Sequence, residues 1–147
     1  MEGRNLLKLV FLTEAFYAAY RDCSELEQKG TRPYAQIQIK INGVLWGIPL
    51  RSHIRHSHAI WTDKENGCGL DLTKAVVITD PANYISPVVP HIREGEFAVL
   101  KRISEYEVVQ KLCKYIKVYK KAKAHTEVKR NRDIVSYSTL QYFEQYI

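Results

Sequence analysis

The sequence predicts an α+β fold, a small and mostly antiparallel, partly closed β-barrel with helices packed against it. Three observations predict it. Residues 35–41 alternate, with Ala35, Ile37, Ile39 and Ile41 on one side and Gln36, Gln38 and Lys40 on the other, the period of two of a strand with one buried face. Asn42-Gly43 follows, the strongest short-range signal for a two-residue hairpin, because both central residues of that turn need positive φ. Strand signals crowd the first half of the chain and the clearest helical pattern comes late, over 105–124, an order that points to α+β rather than to alternating β and α units.

The elements follow in order. The apolar run 6–12 reads as a buried strand, and Thr13 with Glu14 starts a helix that carries Phe16, Tyr17, Ala19 and Tyr20 as far as 24. Residues 24–29 are polar, and Gly30-Thr31-Arg32-Pro33 is a turn feeding the hairpin. The return strand covers 44–48, and Pro49 is expected to stop its ladder, having no N–H to donate. A short strand is expected at 59–62, a surface loop at 63–69, and a buried strand around Ala75-Val76-Val77-Ile78 within 72–78. Three prolines make 81–90 an irregular connection, with Tyr84-Ile85 paired at an edge.

On the 105–124 helix, at 100° per residue, Val108, Val109, Leu112, Ile116 and Tyr119 share a stripe, and Lys114, Lys117 and Lys121 lie opposite. That lysine row is either a solvated face or one that tracks phosphates. Residues 125–133 read as a mobile basic loop, and 136–147 as a terminal helix burying Leu140, Phe143 and Ile147.

With 147 residues and no internal repeat, low-complexity tract or linker, residues 1–147 form one domain. A hydrophobic fraction of 46% and a charged fraction of 26% are those of an ordinary globular protein. The net charge of +6 favours a polyanionic partner, nucleic acid ahead of an anionic membrane. Cys23, Cys68 and Cys113 are odd in number and far apart, which argues against a disulfide framework or a zinc knuckle and for a reducing compartment. No secretory signal pattern and no bilayer-length apolar run is read, so a cytoplasmic location and no membrane partner are expected.

The chemistry concentrates just past the hairpin, in Arg51-Ser52-His53-Ile54-Arg55-His56-Ser57-His58. Metal-free RNA cleavage must take a proton from a 2′-hydroxyl, return one to the leaving 5′-oxygen and surround an anionic phosphorus with positive charge. Imidazole suits the proton transfers, arginine holds two phosphoryl oxygens at once, and a hydroxyl such as Ser52 can donate to a developing oxyanion. Arg32 and Tyr34 enter the hairpin from its other strand and can join the pocket.

Rival chemistries fit less well. His56 and His58 look like a metal pair, with Asp63 and Glu65 as completions, yet a third close ligand is lacking, and no metal or cofactor is expected. A Gly-x-Ser-x-Gly elbow and a phosphate-binding glycine loop are both absent. His58, beside Ala59-Ile60, reads as a structural histidine, whereas the arginines flanking His53 and His56 favour function.

Arg32-Pro33-Tyr34, the hairpin, Ile48-Pro49-Leu50-Arg51-Ser52 and Ile54-Arg55-His56 resemble the toxins of type III toxin–antitoxin systems, the ToxN/AbiQ group and its TenpN branch. Further matches are Gly69-Leu70-Asp71, Lys74 to Ile78, Arg93 to Phe97, Lys114-Tyr115-Ile116-Lys117 with Tyr119 to Ala122, and Tyr137 to Phe143. The resemblance implies a metal-independent endoribonuclease on a Kid/MazF-like barrel, leaving a 2′,3′-cyclic phosphate and a 5′-hydroxyl. It also implies inhibition by a repeated, pseudoknotted antitoxin RNA that closes with the protein into a ring, and protection against phage by abortive infection.

Relatives carry a hydroxyl pair, proline and lysine after the Pro-Leu of the second strand. This chain has Arg51, Ser52, His53, Ile54 and Arg55 there, which leaves the general base open between His53 and His56. Within that departure Arg51 and Ser52 are assigned to the phosphoryl group and Arg55 to the same charge, while the resemblance carries over Arg32. Contacts to RNA are expected from Lys29, Tyr34, Lys114, Lys117, Lys120, Lys121, Arg130 and Arg132. A non-catalytic RNA-binding module, or a toxin blocked by a protein, are the competing expectations.

Overall fold

Residues 7–23, 25–26 and 34–147 are described by a computed structural model; the expected turn at 30–33, with Lys29 and Arg32, lies outside the described residues. The described strands are β1 (Lys8–Phe11), β2 (Ala35–Ile41), β3 (Val44–Arg51), β4 (Ala59–Asp63), β5 (Cys68–Asp71) and β6 (Val76–Val77). Five helices accompany them among the described residues, α1 (Glu14–Ala19), α2 (Pro81–Tyr84), α3 (Glu94–Leu100), α4 (Glu105–Ala124) and α5 (Lys129–Tyr137). The architecture is α+β, with a six-stranded sheet in the order β1-β2-β3-β5-β4 and β6 paired to β3. Every pairing is antiparallel.

The hairpin forms as its turn residues require. Asn42 sits at φ 49 and Gly43 at φ 81, and the flanking pair is Ile41 with Val44. Pro49 does not stop β3, which runs on to Arg51 and pairs Pro49 with Gln36. Counting from the turn, Gln36–Pro49 is a non-hydrogen-bonded pair, so an N–H there would point away from β2. On that other side, β6 takes Trp46 and Gly47 and β5 takes Leu50 and Arg51. Pro49 falls in the gap between them, where a missing donor costs nothing.

Ile37, Ile39, Trp46, Ile48 and Leu70 form the sheet's part of the core, closed by Phe16, Val108, Leu112, Tyr119, Leu140 and Phe143. Helix α4 packs on β2 and matches its expected bounds, capped by Ser104, whose hydroxyl accepts from the Glu107 N–H at 3.1 Å. Its buried stripe is Val108, Leu112, Tyr115, Tyr119 and Ala122, with Val109 and Ile116 half-buried at its margin. Lys114, Lys117, Lys120 and Lys121 are exposed.

Other expectations are corrected. Gln36 is buried rather than solvated, its Oε1 resting where a side chain on Gly47 would stand. Helix α1 ends at Ala19, well short of 24. The expected loop at 63–69 gives its last residues to β5, and the expected strand at 72–78 is a 3₁₀ turn, Leu72–Lys74, followed by two strand residues. Pro81 opens the short helix α2 within the stretch expected to be irregular, although Ile85 does bridge an edge, to Leu12. The basic segment ending at 133 is helical from Lys129 onward, and the expected terminal helix is two 3₁₀ turns, Thr139–Tyr142 and Glu144–Tyr146. Leu140 and Phe143 are buried as expected, while Ile147 is half-buried. Among the described residues no helix is long and apolar enough to cross a membrane.

Candidate active site

Strand β3 ends at Arg51, and the chain then makes a loop whose shape is set by two anchors. Ile54 is buried, and its N–H donates to the Gly67 carbonyl at 2.9 Å. At the far end the His58 carbonyl accepts from the Leu72 N–H at 3.1 Å. Between Ser52 and Ile54 the backbone passes through a left-handed residue, His53 at φ 59, a conformation that costs a non-glycine residue about 1 kcal/mol. Strain of this kind persists where the surrounding structure over-determines it, and here the two anchors do so.

Beneath the loop lies Asp71, the last residue of β5 and fully buried. Arg51 Nη1 donates to Asp71 Oδ2. His56 Nε2 is 3.2 Å from Asp71 Oδ1, and Thr73 adds its hydroxyl at 2.5 Å and its N–H at 3.0 Å to the same oxygen. Burial pushes the Asp71 carboxyl up, but the hydrogen bonds from His56 and Thr73 and the nearby charges of His56 and Arg51 outweigh it and hold it below the usual carboxylate range. Asp71 is therefore ionised at neutral pH.

This carboxylate settles the role of one histidine. His56 Nδ1 accepts from the His58 N–H at 3.0 Å, so the ring proton belongs on Nε2, facing Asp71. Both nitrogens of His56 are engaged. His53 is different: it is exposed, its Nδ1 lies 3.1 Å from Ser52 Oγ, and its Nε2 meets no partner among the described residues.

Two clefts meet at His53. The first, about 510 Å³, is walled by Tyr34, Arg51, Ser52 and His53 from the hairpin side and by Arg93 and Glu96 from the start of α3. Arg93 donates to Glu96 at 3.3 Å and to Cys68 Sγ at 3.4 Å, and Thr62 holds the other Glu96 oxygen at 3.0 Å. The second cleft, about 530 Å³, carries His53, Arg55 and His56 on one wall and Arg130 and Tyr137 of α5 on the other. His58 also lines it, with its ring 5.2 Å from that of Tyr115. Burial above all, with a further push from His56 whenever that ring is charged, moves the His58 imidazole below its ordinary range against the pull of Asp71, so it is neutral at pH 7.

The expected residues thus divide. Arg51, Ser52, His53, Arg55, His56, Tyr34 and Arg130 surround two adjoining clefts. Lys114, Lys117, Lys120 and Lys121 stand on the exposed face of α4 and line neither. Arg132 turns its guanidinium onto the carbonyls of Thr126 and Glu127 at 2.8 and 3.2 Å, bracing the turn before α5. Lys29 and Arg32 lie outside the described residues. Among the described residues no three His, Cys, Asp or Glu side chains group as a metal site; Asp63 instead caps the next turn, accepting from Asn66 Nδ2 at 2.7 Å.

Asp71, Arg93, Glu96 and Tyr137 are the site residues that sequence reasoning did not single out as such. Asp71 did leave a signal, a carboxylate between Leu70 and Leu72 in an otherwise apolar run, since a carboxylate is buried only when paired. Compared with protein-family models, curated proteins and solved structures, the chain matches none significantly.

Proposed function

We propose that the chain is a metal-independent endoribonuclease, and that His53 is its proton carrier. The observation that carries this reading is the exposed His53 ring, with Ser52 on its Nδ1, an Nε2 that meets no partner among the described residues, and Arg51 and Arg55 on either side in sequence. His53 Nε2 takes the proton from a ribose 2′-hydroxyl, whose oxygen attacks the adjacent phosphorus. Arg51 and Arg55 balance the charge that builds on the phosphoryl oxygens, and Ser52 donates to one of them. The P–O5′ bond breaks, O5′ takes a proton from water, the hydroxide so formed recovers the proton held on His53, and the products end in a 2′,3′-cyclic phosphate and a 5′-hydroxyl.

His56 acts through others. Its Nε2–H and Thr73 fix the Asp71 carboxylate, which in turn aims the Arg51 guanidinium at the mouth of the first cleft. Such a positioned charge costs no reorganisation when the transition state forms.

The motif resemblance extends this activity to a type III toxin of the ToxN/AbiQ group, TenpN branch, acting in the cytoplasm as part of phage defence by abortive infection. In that reading the sheet is the core of a Kid/MazF-like, partly closed barrel. What supports it is the antiparallel pairing throughout, with β3 bonded to β2 on one side and to β6 and then β5 on the other. The inhibitor is a pseudoknotted repeat RNA that assembles with the protein into a ring. The basic face of α4 offers that RNA a surface beyond the two clefts.

Purified protein incubated with cellular RNA in EDTA tests the activity. Fragments ending in cyclic phosphate are expected, and Ser52→Ala or Arg51→Ala is expected to lower their rate by orders of magnitude. Intact RNA with salt-dependent binding makes the chain a non-catalytic RNA-binding module instead. A protein inhibitor that co-purifies without nuclease-sensitive material removes the type III assignment.

A further inference from the structure

Tyr137 is absorbed neither by the fold nor by the proposed chemistry. It ends α5, and its carbonyl accepts from Lys74 Nζ at 2.9 Å. The same ammonium sits 3.8 Å from the centroid of the Tyr137 ring. Lys74 is only 5% exposed, whereas Tyr137 is 45% exposed. A buried cation therefore holds the ring in place, and the half-exposed residue lines the second cleft.

The position is strongly determined. Thr139, two residues on, donates its hydroxyl to the carbonyls of Thr73 and Ala75, and Ser138 caps the following turn by accepting from the Leu140 N–H at 3.2 Å. The Thr139 bonds, with that of Lys74 to the Tyr137 carbonyl, tie the end of α5 to the turn that carries Thr73 and Lys74, and hence to Asp71. The His56 ring meets the Tyr137 ring edge to face at 5.9 Å, with 74° between planes.

The rest of the cleft matches in character. His58, neutral at pH 7, lies beside Tyr115, and Ile134 adds an aliphatic wall. Arg55 and Arg130 stand at its sides. A rigid aromatic platform with apolar walls and flanking guanidinium groups fits a flat heteroaromatic ring attached to a phosphodiester chain.

We infer that this second cleft holds an unpaired nucleobase of the RNA strand, stacked on Tyr137, next to the phosphate seated in the Arg51–Ser52–His53 cleft. The inference rests on RNA as the ligand. Its geometric basis is that the two clefts share His53, so one strand can lay a phosphate in the first and the neighbouring base in the second. Base stacking of this kind tolerates any base, because every base has a π-face.

The test measures binding without cleavage. A fluorescein-labelled 2′-O-methyl oligonucleotide of about ten nucleotides has no attacking hydroxyl, and an abasic strand of equal length carries the same phosphates. The protein is expected to bind the base-bearing strand about ten-fold more tightly than the abasic one, about 1.4 kcal/mol. Tyr137→Ala and Tyr137→Leu are expected to erase that difference while leaving abasic binding unchanged, and Tyr137→Phe to keep it. The leucine variant retains apolar bulk over Lys74 and serves if the alanine variant is poorly folded. Should both variants keep the full preference for bases, the Tyr137 pocket is wrong and RNA remains the ligand. Binding of neither strand overturns both readings.

Discussion

Asp71 Oδ1 lies 3.2 Å from His56 Nε2, and Arg51 donates to the other oxygen of the same carboxylate. One buried negative charge thus fixes the last residue of β3 and the middle of the loop that follows it. Asp71→Asn keeps the shape and removes the charge to which Arg51 donates. Breaking a buried pair by removing one partner costs about 3 kcal/mol. Urea denaturation is expected to show that loss, with cleavage falling as well because Arg51 is no longer aimed. A variant as stable as the parent would remove Asp71 as the organiser of the loop.

The same carboxylate sets an acid limit. Its folded-state pKa is depressed, so its contribution to stability is fully present above the unfolded value of about 3.9. It is lost as pH falls through that value toward the lower folded one. Urea midpoints of the parent should therefore drop steeply below about pH 4, and those of Asp71→Asn should drop less over the same interval. Parallel curves for the two proteins would show that Asp71 is not depressed.

The two histidines should separate in their effects. His53→Ala removes an exposed side chain and is expected to lower cleavage by about 10²–10⁴-fold with little change in stability. His56→Ala removes a partner of the buried Asp71 and an acceptor for the His58 N–H. It is expected to cost about 2 kcal/mol of stability along with activity. Thermal melts and single-turnover cleavage of both variants check this, and a stable but inactive His56→Ala with an active His53→Ala would exchange their roles.

What was legible in the chain follows from how local each cause is. The Asn42-Gly43 hairpin and α4 depend on adjacent residues, the first on two positive φ angles and the second on Ser104 and a sustained stripe. Helix α5 was hidden because Lys129 to Asp133 carries no apolar period and Val128 offers no side-chain cap. Strand β5 was hidden because it begins with Cys68-Gly69 directly after a turn, and its burial comes from β4 and β3 on either side. The site shows the same division. Arg51 to His58 announce themselves as one cluster, while Asp71 and Tyr137 join it only through long-range contacts. The distinction between His53 and His56 is invisible in composition, since it rests on the hydrogen bond that takes His56 Nδ1.

The lysine face of α4 yields a prediction about salt. Lys114 and Lys117 are exposed and outside both clefts, so a role in RNA binding there is electrostatic and screened within about 10 Å at 0.1 M salt. Lys114→Glu with Lys117→Glu is expected to weaken binding of a structured RNA strongly at low salt and only slightly at high salt, while cleavage of a short substrate stays near the parental rate. Equal affinities at both salt concentrations would make that face merely solvated.

Two glycines distinguish conformational from steric demand. At Gly43, φ is 81 and nothing stands within 4 Å of an added Cβ, so Gly43→Ala is expected to cost about 1 kcal/mol and leave the clefts intact. Gly69 is opposite Arg51 on one side and Trp61 on the other. A Cβ there would strike the Ile60 carbonyl oxygen and stand 2.9 Å from Trp61 Cα, and backbone within a paired strand cannot move aside as a side-chain tip can. Gly69→Ala is expected to separate β4 from β5, to cost about 3 kcal/mol, and to lower cleavage through the displaced Arg51–Asp71 pair. Thermal melting of the two variants side by side tests the difference, and a Gly69→Ala protein melting with or above Gly43→Ala would mean that β4 and β5 are not in such close contact.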